Sequence, residues 1–135
     1  MVSKRIMIVD YYGPTVDLLV EVLKGEGYTP IRSSRECLSV DCIIDARADL
    51  LILELGLGYP STMLQLLRDL RRHPSTLVLP VIVDSTDDLL LAQLDEELRE
   101  LGCVSVAKPF DIDILLSLVD AGLALGCEQS QRQPC

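Results

Sequence analysis

The stretch Ala48-Asp-Leu-Leu-Ile-Leu-Glu54 decides the fold. Its four consecutive apolar residues, Leu50 to Leu53, are too few for a helix and show no polar alternation. A run of this kind suits a strand buried on both faces, as in the middle of a parallel sheet. A carboxylate closes it. Working outward, the pattern recurs: Arg5–Val9 ends at Asp10, and Val81–Val83 ends at Asp84-Ser85. Two more β-type runs, Thr29–Arg32 and Val104–Ala107, make five. Between them, helix-period segments fall near 14–24, 35–47, 61–72, 87–101 and 111–125. Pro14 at an early helical position and Ser34, Ser61, Thr86 and Asp111 mark their starts. Gly27, Gly102 and Gly126 follow helices, where a left-handed cap is useful.

Strict alternation of strand and helix demands right-handed crossovers with helices on both sheet faces. The expected architecture is a single α/β domain over 1–126, an open doubly wound five-stranded parallel sheet with five helices. Its strand order is the flavodoxin-like 2-1-3-4-5. Residues 127–135 read as a polar, frayed tail.

Composition narrows the function. The 135 residues are 49% hydrophobic and carry a formal net charge of −9, with 21 acids against 12 bases. A nucleic-acid binder needs a basic footprint. The one dense basic cluster, Arg68, Arg71, Arg72 and His73, reads as a solvated helix end whose cations favour the negative pole of the dipole. No apolar run reaches a membrane span and no signal peptide is visible, so a cytoplasmic location is expected. Five cysteines (Cys37, Cys42, Cys103, Cys127 and Cys135) share no CxxC spacing. Cys37 and Cys42 would lie about 140° apart on a helix, so free thiols are expected and a zinc site is not.

In doubly wound sheets the functional crevice lies at the carboxyl ends of the strands. The residues there are Asp10-Tyr11-Tyr12, Glu54-Leu55-Gly56, Asp84-Ser85-Thr86 and Lys108-Pro109-Phe110. An acid after strand 1, an acid after strand 3, a hydroxyl after strand 4 and Lys-Pro after strand 5 resembles the receiver domain of two-component response regulators. The resemblance covers residues 4–125. It implies an Asp that accepts a phosphoryl group from a histidine kinase, Mg²⁺ held by neighbouring acids, and a hydroxyl and a Lys that read the phosphoryl oxygens. It also implies an aromatic on strand 5 that turns with the switch.

Carried over by residue, the match is partial. Asp10 fits the first acidic position, and Tyr11 replaces the second acid, the family's principal Mg²⁺ ligand. Glu54 stands where the phosphoacceptor Asp belongs. Ser85 fits the hydroxyl and Lys108 the Lys, with Pro109 the expected cis proline. Ser105 occupies the switch-aromatic position. Two acids, Asp10 and Glu54, against Lys108 leave a formal charge of −1, where three acids would leave −2. Mg²⁺ prefers near-ideal octahedral oxygen geometry, so its binding is expected to be weak or absent and no cofactor is expected. Glu54 carries an extra methylene, and a misplacement of about 1 Å can cost on the order of 100-fold in rate. Its longer reach could instead bring its carboxylate to Lys108. Asp84 could add a carboxylate to the crevice. Adjacent strand residues face opposite ways, however, so Asp84 and Ser85 cannot both do so, and Asp84 reads as tied to the next helix start.

The resulting expectation is a stand-alone pseudo-receiver: non-enzymatic, bacterial, and acting by phosphorylation-independent protein–protein contact. With no output domain visible, the output would be a separate protein or the chain a piece of a longer one. A working receiver phosphorylated at an atypical acid is one alternative. Another is a small ligand bound in the crevice against Tyr11, Tyr12 and Tyr59. A phosphatase would want an acid at Tyr12, and a dinucleotide site a glycine-rich turn after strand 1. Leucine in excess of one buried face marks the helices over 87–101 and 111–125. Leu89, Leu90, Leu94, Ile112, Leu116 and Leu123 are candidate contacts for a homodimer or a partner helix on the face those helices form with strand 104–107.

Overall fold

The computed structural model describes residues 3–10, 12–33, 38–55 and 60–132, with Pro60 and 126–132 as backbone only. In these residues β1 (Arg5–Val9), α1 (Gly13–Gly25), β2 (Thr29–Arg32), α2 (Val40–Asp45) and β3 (Leu50–Glu54) are followed by α3 (Pro60–Leu70), β4 (Val81–Ser85), α4 (Asp88–Glu100), β5 (Cys103–Ala107) and α5 (Ile112–Arg132). The strands pair in parallel in the order β2-β1-β3-β4-β5. The doubly wound architecture is the one expected.

Strand alternation divides the core into two layers. Ile6, Ile8, Leu50, Ile52 and Ile82 point to one face, where Val16, Leu19 and Leu23 of α1 and Leu115 and Val119 of α5 cover them. Met7, Val9, Leu51, Leu53, Val81 and Val83 point to the other, beneath residues of α2, α3 and α4 such as Ile43, Met63, Leu67, Leu91 and Leu98. At Gly122, α5 comes so close that an added Cβ would lie 3.1 Å from Leu50 Cδ1 and 3.2 Å from Pro80 Cβ. Helix α5 packs on β3 and β4. Val104 of β5, pointing to the same face, is left half exposed.

Several boundaries differ from expectation. Helix α2 begins at Val40, with Ser39 Oγ accepting from Cys42 N, and not after Ser34, which lies outside the described residues. The helical spacing assumed between positions 37 and 42 therefore does not hold, and Cys42 is disulfide-bonded, contrary to the expected free thiol. Cys103 is a buried free thiol. Asp87, not Thr86, caps α4 by accepting from Leu90 N. Helix α5 runs through Gly126 to Arg132, so that glycine ends nothing.

In the basic cluster at the end of α3, Arg72 is exposed as expected of a solvated helix end, but Arg68 and Arg71 are not free in solvent. Arg68 pairs with Glu97 of α4. Arg71 Nε donates to Leu101 O at 2.7 Å, and its Nη1 to Leu79 O at 2.7 Å, Thr76 O at 3.1 Å and Leu77 O at 3.3 Å. One guanidinium thus ties α3 to the α3–β4 loop and the α4–β5 turn. An ammonium cannot reproduce that fork. Arg71→Lys is expected to lower unfolding stability by about 1–3 kcal/mol, since it strands partly buried carbonyls. Urea denaturation of the two proteins measures this, and equal midpoints would refute it.

Candidate functional site

The crevice at the carboxyl ends of the strands is built by the period of two. Asp10 continues the row of Ile6 and Ile8, Glu54 that of Leu50 and Ile52, and Asp84 that of Ile82. Lys108 continues the row of Val104 and Val106. All four side chains arrive on the α1/α5 side of the sheet.

There they converge. Lys108 Nζ lies 2.6 Å from Asp10 Oδ2, 3.3 Å from Glu54 Oε1 and 3.8 Å from Asp84 Oδ1. The side chains of Asp10 and Asp84 are only 2% and 1% exposed, and those of Lys108 and Glu54 10% and 15%. Asp10 Oδ1 also accepts from Tyr12 N at 2.9 Å. Burial pushes the Asp10 carboxyl up. Hydrogen bonding with Glu54, Lys108 and Tyr12 N outweighs burial and holds it below the usual range. For Lys108, burial disfavours the ammonium, but Asp10, Asp84 and Glu54 together raise its pKa.

Asp84 is different. Neither of its carboxyl oxygens has a hydrogen-bond partner among the described residues. Burial dominates and pushes its pKa up to about 7; Lys108 pulls the other way, while the charges of Asp10 and Glu54 add to the rise. A buried carboxyl whose oxygens accept no hydrogen bond relieves its desolvation cost by taking a proton.

The expected roles of Asp84 and Ser85 are therefore exchanged. Ser85, in the row of Val81 and Val83, faces the α3/α4 side, and its Oγ accepts from Asp87 N at 3.0 Å, at the start of α4. Asp84 faces the crevice. The sequence reading weighed this residue and set it aside in favour of Ser85; the shared parity of Ile82 and Asp84 was the signal that could have decided for it. The pocket holds three carboxylates against one ammonium, where two had been counted.

The other sequence-derived positions fall as follows. The Lys108–Pro109 peptide is cis. Ser105 is partly buried in mid-strand opposite Val83. Tyr11 and Tyr59 lie outside the described residues, and Tyr12 is exposed. The Lys108 ammonium sits against Asp10 and Glu54, and no group of three or more Asp, Glu, His or Cys side chains among the described residues is placed to hold a metal.

Leu89 is exposed as expected, but Leu90 and Leu94 pack against the α2–α4 layer, and Leu116 and Leu123 against the other. Ile112 is partly buried. The excess leucine of α5 thickens the core, and its exposed large apolar residues among the described side chains are Ile114 and Leu125. No described helix is long and apolar enough to cross a membrane.

No protein-family model and no curated protein sequence matches the chain. Solved structures do. A response regulator from Desulfuromonas acetoxidans is 27% identical with a TM-score of 0.74, over 90% of this chain and 98% of its own. A response regulator from Chloroflexus aurantiacus is 26% identical with a TM-score of 0.74, over 91% and 99%. A signal receiver domain assigned to a LuxO repressor from Vibrio parahaemolyticus is 19% identical with a TM-score of 0.81, over 99% and 100%. This is a receiver-domain fold. The crevice of the receiver domain is the place where Asp10, Glu54, Asp84 and Lys108 meet.

Proposed function

We propose that the chain is a receiver-type signalling domain that works without aspartyl phosphorylation and passes its signal by contact with another protein. One observation carries the reading: Lys108 is held by Asp10 and Glu54 inside a nearly closed pocket. A phosphoryl group entering there would have to displace one of those ion pairs. The extra methylene of Glu54 supports the same reading, since it closes the distance that a phosphoryl group would otherwise span.

Incubation with acetyl phosphate and Mg²⁺, followed by intact-mass analysis, is expected to leave the mass unchanged while a receiver with an acceptor Asp is labelled in parallel. A Mg²⁺-dependent adduct of one HPO₃ on Glu54 or another pocket acid would sink the proposal.

A further inference from the structure

We infer that the crevice is a proton-operated exchange: Lys108 bonds Asp10 and Glu54 while Asp84 holds a proton, and swings to Asp84 when that proton leaves. The inference gives the pocket a regulation, and rests on the phosphorylation-independent reading only for the premise that no phosphoryl group occupies it. Sheet order supplies the geometry. Lys108 follows β5, and the strands successively farther from it are β4, β3 and β1, whose ends carry Asp84, Glu54 and Asp10. The ammonium bypasses the carboxylate of the adjacent strand, 3.8 Å away, and reaches those of the two strands beyond, at 3.3 Å and 2.6 Å. A separation of 3.8 Å is too long for a hydrogen bond, whereas 2.6 Å is a charge-assisted one. Passing over the acid of the nearest strand is the arrangement expected when that acid is neutral.

Burial and partners decide which acid takes the proton. With all four groups ionised the cluster carries a net charge of −2, and one bound proton reduces it to −1. Asp10 accepts from Lys108 and from Tyr12 N, and Glu54 is the most exposed of the three acids. Asp84 is fully buried, and neither of its oxygens accepts a hydrogen bond among the described residues. The proton therefore belongs to Asp84. Its pKa, pushed up to about 7 mainly by burial, agrees. The charged groups facing it are Asp10 from β1, Glu54 from β3 and Lys108 after β5. On the covering helices, Asp17, Glu21 and Lys24 of α1 and Asp113 and Asp120 of α5 are exposed, as is Asp111. Asp87, at the start of α4, is bound to Leu90 N. Once Asp84 ionises, a shift of about 1 Å on the flexible lysine stem brings Nζ within hydrogen-bond distance of it. Asp10 then loses its ammonium, and Tyr12 N, at the cap of α1, is left as its remaining donor. The exchange thus carries a proton signal from the end of β4 to the start of α1.

The test is an NMR titration of the intact chain from about pH 5 to about pH 9, following the Asp84 carboxyl carbon, the Lys108 Nζ and the backbone amides. Asp84 should show one step with a midpoint near 7, and Lys108 Nζ and the Tyr12 amide should move with the same midpoint. Asp84→Asn should abolish the shared step. Glu54→Gln should keep it but lower the midpoint by at least about half a unit, since the charge of Glu54 raises the Asp84 pKa. An Asp84 carboxyl ionised throughout the range would overturn the inference. So would a Lys108 or Tyr12 signal that does not follow Asp84, a step that survives in Asp84→Asn, or a midpoint that does not fall in Glu54→Gln. If Asp84→Asn does not fold, the wild-type and Glu54→Gln titrations decide alone. The phosphodonor experiment is independent: an adduct removes the phosphorylation-independent reading and leaves a positive titration standing, and a failed titration without an adduct removes the exchange alone.

Discussion

Asp84→Asn is expected to raise unfolding stability at pH 7.5 by about 2–4 kcal/mol, an unusual gain for a polar substitution in a core. Asp84 is fully buried, its oxygens have no hydrogen-bond partner among the described residues, and its pKa is raised from 3.8 to about 7. The unfolded chain releases that proton near 3.8, so the folded state binds more protons between the two values and loses stability as pH climbs through that window. Above about 7 the penalty is complete, and below 3.8 it is absent. The rise from 3.8 to about 7 corresponds to roughly 4 kcal/mol with the attraction to Lys108 already included, and the unmet hydrogen bonds of a buried amide subtract from it. The difference between wild type and variant in urea denaturation should therefore be largest at pH 7.5 and should vanish near pH 4. A variant no more stable than wild type at pH 7.5 would show that Asp84 is solvated or partnered in solution.

Lys108→Met is expected to act in the opposite direction and more strongly, costing about 3–5 kcal/mol at neutral pH. Removing one partner leaves buried charges without compensation. Asp10, whose side chain is 2% exposed, loses its 2.6 Å partner, and Glu54 loses one at 3.3 Å. Asp10 has a lowered pKa in the fold, so it contributes stability above the ordinary carboxylate range and loses it as pH falls through the folded value. Much of that contribution depends on Lys108, so the deficit of the variant should shrink on acidification. If Lys108→Met does not fold at pH 7, the double variant Lys108→Met/Asp84→Asn should recover part of the loss, because one of the repelling acids is gone. A single variant within about 1 kcal/mol of wild type at neutral pH would mean that the cluster is screened by water.

Most of this pocket could be read from residue order. Asp10, Glu54 and Lys108 sit at the ends of strands whose apolar runs are unbroken, and the parallel sheet brings such ends together. The run Leu50–Leu53 located the central strand because nothing else in the chain could bury it. What the order of residues did not disclose was parity at the end of β4. Both Asp84 and Ser85 are polar, and only the burial of Ile82 beneath α5 shows which of them continues the crevice row. The helix ends were less legible for a related reason. Ser34 and Ser39 are equally good caps in isolation, and tertiary packing chooses between them. Arg71 looked like a solvent-facing cation because its acceptors are backbone carbonyls of the loop just after it and of the distant Leu101, which no side-chain pattern announces.

That same guanidinium bears on how two connections are ordered. The carbonyls of Thr76, Leu77, Leu79 and Leu101 converge on a single side chain reaching across from the end of α3. A loop fixed residue by residue loses conformational entropy at each one. Here one planar fork binds the α3–β4 loop and the α4–β5 turn together, so the two settle as a unit.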